Sequence, residues 1–430
     1  MYPDFKEFLR LSKYLNVIPV YTEINEDLDT PVSAFLKINK GRYAFLLESV
    51  EGQEKLARYS FMGIEPKFII KTKRNHFYKF FPSVNKTESM WVNNPFREIK
   101  KALEGFLPAP LKGIPRFSGG LVGYIGYDTV RFFENLPDKT VDDLNLYDIV
   151  LMFVDTILVF DHISHSAKII SNVILPQKDK VSLKEKKALY NRAIKKIEKI
   201  KRYFNSPLKI KVYRNTKLKT SIHSNFSKEE FERIVLRAKK FIREGEIIQV
   251  VISQRFKVKT KKDPFEIYRI LRGLNPSPYM FFLKLDKISL IGASPEMLVR
   301  YENGIVQTCP IAGTRHRGKN EEEDKKLEES LLKSKKEKAE HIMLVDLGRN
   351  DLGRVCKIGS LEVNEFMKVE RYSHVMHLVS EIKGEIRKGL DAFDVLSACF
   401  PAGTVTGAPK VRAMQIIEEL ENIKRGPYAG

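Results

Sequence analysis

Helical and extended patterns interleave along this chain without the regular strand–helix–strand period that a parallel sheet demands, which restricts it to α+β architectures with large, mainly antiparallel sheets. The second half carries the sharpest signals. Ser227 followed by Glu230 forms a capping box opening "KEEFERIVLRAKKFI", whose Phe231, Ile234, Val235, Ala238 and Phe241 make one apolar face that stops at Gly245. A strand is expected directly after it in "IIQVVISQRFKV". Asp263 caps a helix with Pro264 at its first position, "NPSPYMFFLKL" leads back into strand, and Asn303-Gly304 between apolar runs predicts a tight hairpin. One charged helix is expected from about Glu321 through "AEHIMLVDL". Upstream, "GRYAFLLESV", "FIIKTK" and "AKIISNVIL" read as strands, and "IVLMFVDTILVF" (149–160) as a single buried one, too short to span a bilayer.

The 430 residues are 43% hydrophobic, enough for a large core and for two or three domains or one composite domain. Cys309, Cys356 and Cys399 lie more than 40 residues apart with no CxxC pair, which argues against a disulfide framework or zinc ribbon and for a reducing, cytoplasmic compartment. No signal peptide is visible in "MYPDFKEFLRLSKYL". The formal charge of +21 is concentrated: residues 176–220 hold 16 basic side chains against 3 acidic ones. Leu183, Tyr190, Ala193, Ile197, Ile200 and Phe204 recur there at helical spacing, so the lysines decorate the solvent face of an amphipathic connector helix. No nucleic-acid-binding signature accompanies them, and a salt-sensitive gel shift would be the sign of such a role. The organisation expected is an N-terminal domain over 1–175, a basic connector and linker over 176–222, and a second domain over 223–430.

The loop "CFPAGTVTGAPK" (399–410) places Gly403 and Gly407 before the amphipathic run "KVRAMQIIEELE". Backbone N–H groups at such a turn bind phosphate or carboxylate equally well, so the loop alone leaves the anion open, as well as the simpler reading of a turn before a helix.

Six stretches narrow the choice: "GEIIQVVISQRF" (245–256), "GASPEMLVR" (292–300), "PIAGTRHRG" (310–318), "AEHIMLVDLGRNDLGR" (339–354), "YSHVMHLVSEIKGE" (372–385) and "FPAGTVTGAPKVRAMQIIEELE" (400–421). Their order and spacing resemble the chorismate-binding enzymes, and with "LLES" (46–49) and "NPSPYMFF" (275–282) the chain looks like an anthranilate synthase large subunit. The resemblance implies an α/β/β/α sandwich with helices on the outer faces, and the conversion of chorismate and ammonia to anthranilate and pyruvate with Mg²⁺. The anion of the loop is then a carboxylate. Loss of the ring hydroxyl needs a positioned acid, and Glu296 in "SPE" matches the family's proton donor. Glu340 matches a Mg²⁺ ligand, while Glu337 and His341 on the same helix fit salt-bridge spacing better than ligation. His377 matches an active-site histidine. Gly313, Thr314, Thr404 and Tyr428 match residues that hold chorismate, and His316 stands where the family usually has proline.

Two positions discriminate among family members. Water-using relatives carry a lysine base at the place of Gln249, and an amide cannot deprotonate water, so ammonia is the expected nucleophile. The aminodeoxychorismate synthases, the alternative reading, usually have a nucleophilic lysine where this chain has Ala312. A basic scaffold or nucleic-acid-binding protein with relic motifs is the reading from another class. None of the three cysteines sits in a GxCxG turn, so a separate glutamine amidotransferase subunit is expected to deliver ammonia, in a heterotetramer of two large and two small subunits. No nucleic acid and no membrane are expected as partners. Glu48, Ser49, Pro278, Tyr279 and Met280 resemble the family's tryptophan pocket, implying feedback inhibition by a ligand that bridges two halves of the chain. The resemblance also implies further C-terminal residues beyond "KRGPYAG", with more metal glutamates. Residues 1–430 alone are therefore expected to be inactive and prone to aggregate.

Overall fold

The computed structural model describes residues 1–25, 28–50, 58–176, 181–208, 221–372 and 374–430. Every pairing in the chain's seven-stranded sheet is antiparallel, and helices and sheets are mixed, as the α+β expectation required. The chain divides into two compact units, each assembled from separated segments: Met1–Tyr124, Ile149–Thr216 and Lys262–Ser294 in the first, Ile125–Asp148, Lys217–Lys261 and Pro295–Gly430 in the second. This differs from sequential boundaries near 175 and 223.

The first unit is built on a seven-stranded sheet in the order Val17–Asn25, Ser166–Ile174, Thr156–Asp161, Tyr59–Ile64, Tyr43–Glu48, Tyr279–Leu285, Ile288–Ser294. Alternation along a strand sends successive side chains to opposite faces, and here both faces are covered. Leu158, Phe160, Ala44 and Leu46 pack with Tyr190, Ala193, Ile197 and Ile200 of the helix Leu183–Phe204. Ile157, Val159, Tyr43 and Phe45 pack with Ile69, Val150 and Met152 of a five-stranded sheet. The basic helix is thus an integral layer of this unit, with Tyr190, Ala193, Ile197, Ile200 and Phe204 of the face read from the sequence buried in its core and Leu183, at its first turn, exposed. The run 149–160 is two strands in different sheets, Ile149–Val154 and Thr156–Asp161, separated at Asp155. Lys196 Nζ reaches both Asp155 carboxylate oxygens at 2.7 Å, so a buried charge is paired where the chain changes sheets.

In the second unit the long strand Val375–Glu385 pairs with Ile305–Thr308, Ile311–His316 and Glu362–Arg371. The hairpin at Asn303-Gly304 forms as expected, with both residues at positive φ, +51° and +83°, and so does the Ser227/Glu230 capping box. Two expectations change. The charged helix is two helices, Glu321–Lys333 and Lys335–Gly353, broken at Ser334, which caps the second. The strand expected over 247–258 is confined to Gln249–Val250 and Phe256–Val258. Between them, side chains satisfy the backbone in place of a ladder: Glu421 accepts from Ser253 N at 2.7 Å, Arg425 donates to Val251 O at 2.6 Å, and Asn225 accepts from Arg255 N at 2.8 Å.

Candidate active site

The helix Lys335–Gly353 carries the site of the second unit. At 3.6 residues per turn Glu337, Glu340, Leu344, Leu347, Gly348 and Asp351 fall on one stripe, and three other motifs meet it in succession. At the first turn a Cβ on Gly313 would lie 3.3 Å from Glu337 Cβ, and Arg315 Nη1 is 3.4 Å from Glu337 Oε1. At the next, Gln249 Nε2 donates to Glu340 Oε1 at 3.3 Å. Further along, a Cβ on Gly403 would fall 2.1 Å from Leu347 Cδ2, so any larger residue at this point of the 403–408 loop would have to push the Leu347 side chain aside. At the last turn Lys410 Nζ donates to Asp351 at 2.6 Å and to Cys399 O at 3.0 Å. Burial pushes the Asp351 carboxyl up to about 6 against the pull of Lys410.

Glu296 lies against the 399–410 loop, where Thr404 Oγ1 donates to its Oε2 at 2.6 Å. Burial raises its carboxyl to about 7, with the Thr404 hydrogen bond acting in the opposite direction. Glu296, Thr404, Thr308, Leu344 and Asp351 line a cavity of about 30 Å³. The loop is not a helix N-terminus: Gly403–Val405 is a short 3₁₀ turn and the helix begins only at Lys410. Gly407, at φ +137°, is required because a Cβ there would sit 2.1 Å from Gln249 O in the paired strand.

Thr314 and His377 are partners across the ladder between Ile311–His316 and Val375–Glu385, beside a bulge at Gly313, whose φ is +64°. His377 Nδ1 is 3.1 Å from both Gly313 O and Thr314 Oγ1. A proton on Nδ1 directed at the carbonyl leaves Nε2 as the acceptor. His341 is not in a salt bridge, contrary to its helical spacing. It is fully buried, its Nε2 is 2.6 Å from Ser380 Oγ, and burial lowers its pKa to about 4, so the ring is neutral.

Glu340 is half-buried and no lysine or arginine pairs with it among the described residues, so its charge is open to a cation. Those residues contain no group of three or more His, Cys, Asp or Glu side chains able to hold a metal. One carboxylate still fits the habits of Mg²⁺, which takes one or two carboxylates and completes its shell with waters and substrate oxygens. Tyr428 is exposed and stacks on the Arg425 guanidinium, whose carbon lies 5.7 Å from its ring centroid and 4.9 Å from that of Tyr127.

The five residues expected to form a tryptophan pocket gather in the first unit alone, because Tyr43–Glu48 and Tyr279–Leu285 are neighbouring strands with Glu48 opposite Met280. They do not lie in different halves, as their separation in sequence suggested. Glu48 is buried and accepts from Tyr268 and from Arg272, at 3.1 Å for the latter, so it braces the helix Pro264–Leu274. Met280 is 1% exposed in the core and Pro278 is buried, leaving Ser49 and Tyr279 nearer the surface.

Sequence reasoning did not single out Asp351, Lys410, Glu421 or Arg425. The first two stood within quoted motifs, and the i,i+4 spacing of Glu421 and Arg425 was the available signal for the others.

Residues 43–430 match the family model described as chorismate binding enzyme. The chain is 48% identical to anthranilate synthase component 1 of Aquifex aeolicus, over 99% of this chain and 85% of that protein. It is 47% identical to the same component of Acetivibrio thermocellus, over 100% of this chain and 86% of that protein. Among solved structures, anthranilate synthase component I from Streptococcus pneumoniae superposes with a TM-score of 0.72 at 35% identity, covering 87% of this chain and 79% of that one. The menaquinone-specific isochorismate synthase from Escherichia coli, at 18% identity and a TM-score of 0.64, shares the fold.

Proposed function

The chain belongs to the chorismate-binding enzyme family, and on that footing we propose that it is the large subunit of an anthranilate synthase, making anthranilate, pyruvate and water from chorismate and ammonia. The observation that carries this reading is Glu296, a buried carboxyl held near 7 beside a threonine of the substrate loop. A group poised there is protonated in half its copies at neutral pH and can give that proton to the departing ring hydroxyl, which leaves as water. Ammonia supplies the new bond to the ring and gives up one proton; the ring then loses a proton and the enolpyruvyl ether bond, the released enolate takes up a proton to become pyruvate, and the ring becomes aromatic. Among the described residues Gln249 Oε1 is buried without a hydrogen-bond partner and can accept an N–H of incoming ammonia, whereas it cannot take a proton from water. Gly313, Thr314 and Thr404 present backbone and hydroxyl groups to substrate carboxylates, His377 faces the ring, and Tyr428 belongs to the same reading from the chain's end. Glu340 would hold Mg²⁺, which when bound neutralises and orients substrate carboxylate charge.

The relatives' designation as component 1 supports a partner component. We take this to be a glutamine amidotransferase subunit in a heterotetramer, in the cytoplasm; no helix among the described residues is long and apolar enough to cross a membrane. The full-length enzyme, given chorismate, Mg²⁺ and ammonium, is expected to develop anthranilate fluorescence with one pyruvate per turnover. Isochorismate or 4-amino-4-deoxychorismate as the main product would overturn the assignment.

Tryptophan, as feedback inhibitor, would bind beside Ser49 and Tyr279 with Glu48, Pro278 and Met280 as the supporting floor. Ser49→Ala should raise the inhibitor concentration for half-inhibition by about 5- to 150-fold, the usual range of an allosteric coupling, and spare uninhibited turnover. An inhibition curve unchanged by the substitution would place the pocket elsewhere.

A further inference from the structure

A ligand-sized space lies in the first unit, and none of the residues proposed for catalysis or for the tryptophan pocket lines it. It is a cavity of about 790 Å³, within the range of small-molecule pockets. Tyr43 borders it, whereas Glu48 stands at the other end of the same strand, roughly 17 Å away at the rise of an extended chain. Much of its wall is apolar, from Pro66, Phe80, Pro82, Val173, Ile174 and Leu189.

Its polar side is cationic, and most of the charges there are already matched. Lys196 holds Asp155 at 2.7 Å, and Arg42 holds Asp286 at 2.6 Å. Glu65 is taken by Lys199, also at 2.7 Å. Lys67 and Arg192 remain: both line the cavity, both are exposed, and among the described residues neither side chain has a hydrogen-bond or ion-pair partner. Packing around Lys67 holds its ammonium below the ordinary lysine range, and Lys196, Lys79 and Arg192 repel it further, with Asp155 alone opposing them. Two uncompensated cations beside an apolar wall are the complement of a molecule with an anionic head and an apolar body.

We propose that this cavity binds a small amphipathic anion, an aromatic or aliphatic body with a carboxylate or phosphate head seated between Lys67 and Arg192. The head supplies the counter-charge these two lack, and the body covers the proline, phenylalanine and leucine surface. The proposal stands on the first unit alone and does not depend on the reaction assigned to the second.

The test is calorimetric titration of the purified protein with 2-naphthoate and 2-naphthyl phosphate as probes and neutral 2-naphthamide as control. At least one anion should bind with one-to-one stoichiometry, the tighter of the two identifying the preferred head. The amide should bind about tenfold more weakly or worse, since it forgoes charge-assisted contacts. Lys67→Met combined with Arg192→Met should cost the anion a similar factor while the melting temperature does not fall, because both side chains are solvent-exposed and partly packed Lys67 gains nothing from its charge. Should the double variant fail to fold, Lys67→Met alone must still weaken binding. No saturable binding of either anion up to about 5 mM, equal affinity for the amide, or affinity untouched by the substitutions would overturn the proposal.

Discussion

Glu296→Gln should lower turnover by about a hundred- to ten-thousandfold, the span usually lost with a general acid, while chorismate still binds. The amide keeps the shape and can still accept from Thr404, but it has no proton to give. Burial raises this carboxyl from an ordinary 4.5 to about 7, so the acid form is the majority below that pH and is depleted above it. In the wild-type enzyme kcat/KM should therefore carry a limb that falls as pH rises through about 7, and the variant's residual rate should lack it.

The same shift predicts a stability effect of opposite sense. A group whose folded pKa is raised contributes stability that is complete below its unfolded pKa and is lost as pH rises through the folded one. For Glu296 that window runs from 4.5 to about 7, and the loss is at most about 3 kcal/mol at 1.36 kcal/mol per unit. Glu296→Gln should then melt near the wild type at pH 5 and above it at pH 8. A variant that is inactive yet shows no pH-dependent gain would mean that the carboxyl is not desolvated in solution.

Arg425→Met should destabilise the second unit by about 3 to 5 kcal/mol, the loss expected when one partner of a buried ion pair is removed. Arg425 and Glu421 have side chains only 2% and 3% exposed. The guanidinium donates to Glu421 at 2.6 and 3.0 Å, to Val405 O at 2.7 Å and to Val251 O at 2.6 Å, while Glu421 also accepts from Ser253 N at 2.7 Å. One ion pair therefore joins the chain after Gln249 to the loop that contains Thr404. Without Arg425, Glu421 is left as a buried charge opposed only by backbone N–H groups and two carbonyls are orphaned, so urea denaturation should show the loss directly. Adding Glu421→Gln should restore a large part of the stability, because the buried charge disappears. A single variant within about 1 kcal/mol of wild type would show that water replaces the guanidinium without penalty.

Much of this protein was legible without coordinates wherever a short segment determines its own structure. The capping box at Ser227 and Glu230, the Asn303-Gly304 turn and the apolar face of the Leu183–Phe204 helix from Tyr190 onward all depend on residues within a few positions of each other, and these formed as read. Glu296 could be named from its motif. That its carboxyl is held near 7 depends on burial by residues up to a hundred positions away, and no local pattern encodes a dielectric. The same limit explains the misread elements. Asp155 interrupts an apolar run in a way that looked tolerable within one strand until Lys196, forty residues on, was found to pair with it at a change of sheet. The segment 247–258 had strand composition, but distant Glu421, Arg425 and Asn225 claimed its backbone groups. Gly403 and Gly407 suggested an anion cradle, and their closest explanation is steric, the approach of Leu347 and of the Gln249 carbonyl. The sequence by itself determined the hairpin, the helix caps and the buried stripes of the amphipathic helices, because these rest on local periodicity and side-chain chemistry. Only the tertiary structure decided that residues 262–294 join the first unit, that three other motifs meet one stripe of a single helix, and which charges are buried, because each of these is set by contacts between segments that the chain's order keeps apart.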